Sequence, residues 1–504
     1  MNKHYSSPTP LYDVVEQQAT PHTTAVENLI KKMPQSLMVP GHGNDPSRGN
    51  TTIADFFGDR VAALDLPQML DGVDLGPESP LVQSRRLAAK AWGAHTTWFM
   101  TNGASQANRT AAIAIRGLGP NVIMQRSAHS SFSDGIIAAG LNASYVLPSV
   151  DHENGASHGL TPQALEEAFA AATEPVHSVY VISPSYFGAT ADIPGLAEVA
   201  HRHGAALVVD GAWGAHFGFH PELPESPVRL GADLAISSTH KLGGSLTQSA
   251  MLHLGNGDYT EKLLPLVERA FTMTASTSMS TLLLTSLDLA RRSLATGMDQ
   301  IDKSVQVAAQ LRERLRATGD FGLLCDKFEN YPDIVAIDPL RVAIDISKLA
   351  ATGHEVKSYL QHAHDVFFEM STATVIVAVI GAGAAPDVDR IMAALEDAVK
   401  HFGYRDENYA AEQFPPLPKP GKTVVSPGQA YFSEIETVSA AEAVGRVSAD
   451  SLAAYPPGIP NVLPGEEITQ EIVDFLSAVA ASPTGYVRGA KDALVSQYRV
   501  LKQK

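Results

Sequence analysis

Between residues 98 and 240 the chain alternates short apolar runs of strand length with helical stretches, and no other feature restricts its fold so tightly. The runs are Trp98–Met100, Val122–Met124, Val179–Ile182, Ala205–Val209 and Ala232–Ile236. Between them lie helical segments: an alanine-rich stretch ending at Ile115, a segment opened by Thr161 and Pro162 with Leu165 and Phe169 on one face, and Gly195–His203. Thr161 supplies an N-cap and Pro162 a first-turn proline. Strand and helix in turn, with strands apolar along their length, imply an α/β fold: a mostly parallel sheet with helices on both faces. Ligands of such sheets sit at the carboxyl ends of the strands, so the residue after each run is where chemistry is sought.

Two of those ends carry reactive groups. Ala205–Val209 ends in Asp210, and Ala232–Ile236 ends in Ser237, Ser238, Thr239, His240 and Lys241. An acid, a lysine and hydroxyls in one crevice suit pyridoxal phosphate (PLP): the amine forms a Schiff base, the carboxylate pairs with the pyridinium nitrogen, and small polar groups hold the phosphate. The same residues also read as a turn acid and a solvated loop, and taken alone they leave both readings open. After Trp98–Met100 come Gly103, Ala104 and Ser105, then the alanine-rich helix. Strand, glycine turn and helix start make an anion site, or an ordinary capped helix. His129 follows the Val122–Met124 run, where a lone histidine is ordinarily a surface residue. His216 and His220 have an i,i+4 spacing, but Gly214, Gly218 and Pro221 make that stretch a loop, so no metal site is read there.

Bulk properties narrow the class. A formal charge of −17 argues against nucleic acid as a partner. Hydrophobic residues at 44% and charged residues at 18% describe a globular chain. The single cysteine, Cys325, rules out an internal disulfide framework and reads as a small buried residue. No apolar run is long enough to span a membrane, and the first residues lack the apolar core of a secretory signal, so a cytoplasmic enzyme is expected.

The motifs in order resemble the ornithine/lysine/arginine decarboxylase family of fold type I PLP enzymes. They are Asp210-Gly211-Ala212-Trp213, Phe219-His220-Pro221, Ser238-Thr239-His240-Lys241 and Leu246-Thr247-Gln248. Upstream stand Pro10-Leu11-Tyr12, Pro40-Gly41-His42, Gly76-Pro77 and Thr101-Asn102-Gly103-Ala104-Ser105. Downstream are Thr277-Ser278-Met279-Ser280-Thr281 and Phe368-Glu369-Met370. The C-terminal part adds Tyr455-Pro456-Pro457-Gly458-Ile459-Pro460 and Pro464-Gly465-Glu466. Other fold type I enzymes lack this ending, so it narrows the resemblance to this family. The match runs from about residue 8 to 475, with no receiver-like wing domain ahead of it, and so resembles the short form.

The resemblance implies roles. Lys241 carries PLP, Asp210 faces its ring nitrogen, His129 stacks on one ring face, and Ala212 and Trp213 flank the ring. Gly103, Ala104, Ser105, Ser238 and His240 hold the phosphate, and Ser278 and Ser280 reach the cofactor of a neighbouring subunit in a homodimer or larger homo-oligomer. His42 is read as structural, and an arm near it as packing over the partner. Glu369 reads as a solvated acid, with a substrate-side role to be tested. The departures are Glu78, Ser130 for a lysine, Gly211, Met279 for proline, Thr281 for tyrosine, and Pro427-Gly428-Gln429-Ala430 for Pro-Arg-Glu-Ala. The expected division is an N-terminal arm (1–50), a PLP-binding large domain (51–300), a small α+β domain (301–410) and a C-terminal domain (411–504), with a proline-rich linker at 414–421. A helical stretch over 286–317 joins the first two folded units. The implied reaction is α-decarboxylation of a basic amino acid, arginine or lysine before ornithine. Transamination, oxidative deamination or decarboxylation using O₂, and a catalytically idle regulatory homologue remain alternatives.

Overall fold

The computed structural model describes residues 11–32, 35–45, 52–406, 417–455, 458–482 and 485–503. Pro10, Pro456, Pro457 and the first three residues of the proline-rich linker, 414–416, fall outside them. The strands of the central sheet are β1 (Thr96–Met100), β2 (Asn121–Gln125), β3 (Asn142–Val146), β4 (Ser178–Ile182), β5 (Ala206–Asp210), β6 (Leu234–Ser237) and β7 (Ala250–Leu254). Their order across the sheet is β1-β7-β6-β5-β4-β2-β3. Strand β7 runs antiparallel to both neighbours, while the β6-β5-β4-β2-β3 set is parallel. The edge strand β3 and the antiparallel β7 add to the five apolar runs that the sequence marks out.

Burial explains why those runs are apolar throughout. Ala206 and Val208 join Tyr180, Val122 and Met124 in a core on one face, under the helices Gly103–Ile115, Ser130–Ala139 and Thr260–Thr274. Leu207 and Val209 join Val179, Val181 and Ile123 on the other, under Pro162–Ala171 and Ile193–Arg202. With both faces covered, alternate residues are equally buried. The parity also sets the site: Asp210 follows Ala206 and Val208 on the face that carries Tyr180.

Where the sequence suggests one helical stretch over 286–317 there are two helices, Thr281–Thr296 and Met298–Thr318. Gly297 breaks them with φ −105° and ψ 34°, as the residue with the least to lose by leaving a helix. They lead to a four-stranded antiparallel sheet containing Arg341–Asp345 and Val375–Val379, backed by Gly353–His364 and Val388–Phe402. The N-terminal arm is tied to the body of the chain by buried hydrogen bonds. Its helix Pro21–Lys31 lies on its own chain, because Arg291 donates to the carbonyls of Gln17 and Ala19, and Asp288 accepts from the amide and hydroxyl of Thr23. Cys325 is half-buried.

The C-terminal unit carries its own core around Leu476, Val462 and Tyr498. It is locked to the central sheet by Arg126, the residue after β2. Its guanidinium meets Glu466 through two bonds of 2.6 and 2.7 Å and donates to the carbonyls of Pro460 and Asn461.

Two buried histidines make stability depend on acid. His253 in β7 bonds to Thr97 Oγ1 at 2.9 Å and Ser237 Oγ at 3.0 Å, and burial lowers its pKa to about 3. His22 is lowered to about 4, chiefly by burial. Both native pKa values lie below the ordinary 6.5, so the unfolded chain binds protons first as pH falls. Stability is complete above that value and is lost on acidification, by about 1.4 kcal/mol per pH unit for each histidine. Urea midpoints measured from pH 7.5 downward check this; midpoints that hold steady to pH 5 contradict it.

Candidate active site

The carboxyl ends of the strands open into a cavity of about 1370 Å³. Of the residues singled out from sequence, Gly103, Ala104, Ser105, His129, Asp210, Ala212, Trp213, Ser238, His240 and Lys241 all line it. Ser278 and Ser280 do not. Within one chain Ser280 instead accepts from the Leu283 amide, capping the helix Thr281–Thr296, and Ser278 lies in an exposed turn with Ser276. Glu369 is exposed and is not part of the wall. His42 bonds Asp65 at 3.2 Å, away from the cavity. His216 is buried against Asp338 at 3.0 Å, and His220 faces Asp302 at 3.6 Å.

Asp210 ends β5 beneath three donors. Tyr180 donates its hydroxyl to Oδ2 at 2.6 Å, Asn108 donates its amide to the same oxygen at 3.1 Å, and the Ala212 N–H reaches Oδ1 at 3.1 Å. Asn108 also donates to Ser131 Oγ at 3.1 Å, and Ser131 Oγ stands 2.8 Å from His129 Nδ1. The Ser131 backbone N–H donates to that same Nδ1. A backbone N–H can only donate, so Nδ1 is the acceptor and the neutral imidazole carries its proton on Nε2. Burial, with the Lys241 and Arg488 charges, outweighs Asp210 and lowers the His129 pKa. One hydrogen-bonded chain thus joins the acid to the histidine.

Lys241 sits in the short helix Thr239–Leu242, with Nζ 3.6 Å from the Trp213 ring centroid and 5.9 Å from that of Tyr186. Arg341 lies 3.7 Å from the same indole. Burial is the largest cause lowering the Lys241 pKa to about 8; Arg341 adds to it, and Asp210 and Glu369 oppose it. The amine is therefore partly free near neutral pH, as a nucleophile requires.

Gly103 opens the helix Gly103–Ile115 at φ +75°, a left-handed conformation that favours glycine. No side chain caps this helix, so its first N–H groups are free donors. The loop Leu246-Thr247-Gln248 is pinned beside it: Gln248, itself at φ +78°, donates to Asn102 Oδ1 at 2.9 Å. His240 donates through Nδ1 to the Ser249 carbonyl at 3.1 Å.

In fold, the chain is similar to the lysine decarboxylase LdcF of Francisella novicida, with a TM-score of 0.81 over 97% of this chain and 82% of that one, at 20% identity. Lysine decarboxylase A from Pseudomonas aeruginosa gives 0.80 over 97% and 81% of the two chains, also at 20%. These likenesses define the class, an α/β fold with a mostly parallel central sheet. Sequence goes further. The profile described as Orn/Lys/Arg decarboxylase, major domain, matches residues 20–329, and that described as the C-terminal domain matches residues 408–486. A Bacillus subtilis protein named arginine decarboxylase is 33% identical over 97% of this chain and 99% of its own length. The chain belongs to the Orn/Lys/Arg decarboxylase family and is a decarboxylase enzyme.

That family implies PLP, and the residues present fit it. The uncapped helix start offers N–H donors to a phosphate, the half-buried Lys241 amine with its lowered pKa is suited to a Schiff base, and Asp210 is a buried acid beneath its own donors. Sequence reasoning did not single out Tyr180, Asn108, Ser131 or Arg488. A phenol in the middle of an otherwise apolar strand was the one local signal for Tyr180.

Proposed function

We propose that the protein removes the α-carboxylate of a basic L-amino acid, arginine or lysine before ornithine, giving agmatine or a diamine and CO₂, with PLP held by Lys241. The observation that carries the reading is the half-buried Lys241 sharing one cavity with Asp210 and the Gly103 helix start. The B. subtilis relative named arginine decarboxylase supports the substrate class. Gly103, Ala104, Ser105, Ser238 and His240 would hold the phosphate.

When bound, PLP supplies the electron sink that accepts the pair released as CO₂ leaves. Asp210, fixed by Tyr180, Asn108 and the Ala212 amide, would hold the proton on the cofactor's ring nitrogen. Lys241, titrating near 8, would be the group able to deliver a proton to the substrate carbon at neutral pH, and His129, neutral with Nδ1 as acceptor, would do so only after taking up a second proton. Trp213 offers its ring face to Lys241 Nζ, and the small Ala212 side chain on the same wall would leave space for the cofactor. We place Ser278 and Ser280 against the cofactor of a second copy in a homodimer, consistent with their lying outside the cavity of one chain.

The test is a screen of L-arginine, L-lysine and L-ornithine with PLP. Equimolar CO₂ and amine from arginine or lysine is expected. Keto acid or aldehyde with ammonia or peroxide would replace decarboxylation by transamination or oxidation.

A further inference from the structure

The charges on the cavity wall are paired with one exception besides the lysine itself. Three basic residues line the cavity: Arg109 and Arg488, whose charge is fixed, and Lys241. Arg109 is ion-paired with Asp134 at 2.9 Å. The lining acids are engaged as well: Asp134 by Arg109, Asp450 by Arg499 at 2.6 Å, and Asp210 by its three donors. Arg488 has no carboxylate partner among the described residues, and it is exposed toward this cavity.

Its place in the fold is specific. The C-terminal unit contains a three-stranded sheet in which Tyr486–Arg488 pairs with Leu452–Tyr455, with Arg488 opposite Ala453 and Tyr486 opposite Tyr455. Residues two apart share a face, and all four of these line the cavity. Arg488 stands beside the Tyr455 hydroxyl, and its charge is felt by His129 and Tyr186, which flank Lys241.

We propose that Arg488 receives the α-carboxylate of the substrate, so that the C-terminal unit completes the binding site of its own chain. This rests on the decarboxylase reading above and names which end of the substrate lies where. A guanidinium and a cationic side chain repel each other, so a basic amino acid must turn its cationic end away from Arg488 and its carboxylate toward it. An arginine–carboxylate contact is charge-assisted and specific in geometry. It is also lost as CO₂ departs, so it favours the bound amino acid at least as much as the transition state and acts on KM more than on kcat.

The test compares an amino acid with the amine it becomes, L-arginine with agmatine or L-lysine with cadaverine, whichever pair the wild-type holoenzyme uses. Arg488→Gln should raise KM for the amino acid by about tenfold or more, the scale of one lost charged hydrogen bond, with a smaller change in kcat. The dissociation constant of the amine, read by calorimetry, should stay within about twofold, because the amine has no carboxylate to lose. Arg488→Lys should recover part of the loss, which a packing role for the side chain would not produce. Equal weakening of amino acid and amine, or an unchanged KM in Arg488→Gln, overturns the assignment while decarboxylation stands. A wild-type enzyme that releases no CO₂ from any basic amino acid overturns the functional reading, and this proposal with it.

Discussion

Lys241→Ala is expected to lose the borohydride-fixed phosphopyridoxyl label and to lower turnover by about four orders of magnitude or more, the scale seen when one member of a cooperating set is removed. The expectation follows from uniqueness of place: Lys241 is the lysine on the cavity wall, and the indole 3.6 Å from Nζ holds it there. Its lowered pKa adds a signed prediction. Only the neutral amine attacks an aldehyde, so capture of PLP by the apoprotein should quicken about tenfold per pH unit at low pH and level off above about 8. An unperturbed lysine would keep accelerating past pH 10. A label on another lysine, or capture still rising steeply at pH 9.5, would remove Lys241 from the centre of the mechanism.

The second large effect lies away from the chemistry. Arg126→Met should cost about 3–5 kcal/mol, because it leaves the Glu466 carboxylate buried with the Leu463 amide in place of a guanidinium. Both side chains are at most 2% exposed, so water cannot take over the lost bonds. The Arg126→Met/Glu466→Leu double variant should recover much of the loss, since replacing a buried pair with apolar groups is often close to neutral. Thermal unfolding followed by limited proteolysis would show the C-terminal unit released first. Because Pro460, Leu463, Tyr455 and Arg488 come to the cavity with that unit, activity should fall while Lys241 still takes the label. A single variant as stable as wild type would show that the ion pair does not hold the unit in place.

Local sequence went far here because the chemistry sits at the ends of continuous apolar strands. A run such as Ala205–Val209 announces a strand buried on both faces, and the residue that stops it must lie at the sheet's edge where ligands bind. Asp210, Lys241 and the Gly103 turn were legible for that reason, and the family motifs stand around them in order. The break at Gly297 was less legible, since a single glycine is compatible with a continuing helix until the packing of its two halves is known. The place of Ser278 and Ser280 was not legible at all within one chain, where Ser280 is a helix cap.

The sequence by itself determined the strand–helix rhythm, the glycine turn and the pairing of an acid with a lysine, because each depends on residues adjacent along the chain. Only the tertiary structure brought Tyr180 and Asn108 onto Asp210, since that contact depends on strand parity and on which helix covers that face. It also carried Arg488 from the far end of the chain to the reactive cavity through the buried Arg126–Glu466 pair. Neither approach leaves a periodic trace: each is a meeting of side chains distant in sequence, decided by how whole layers pack.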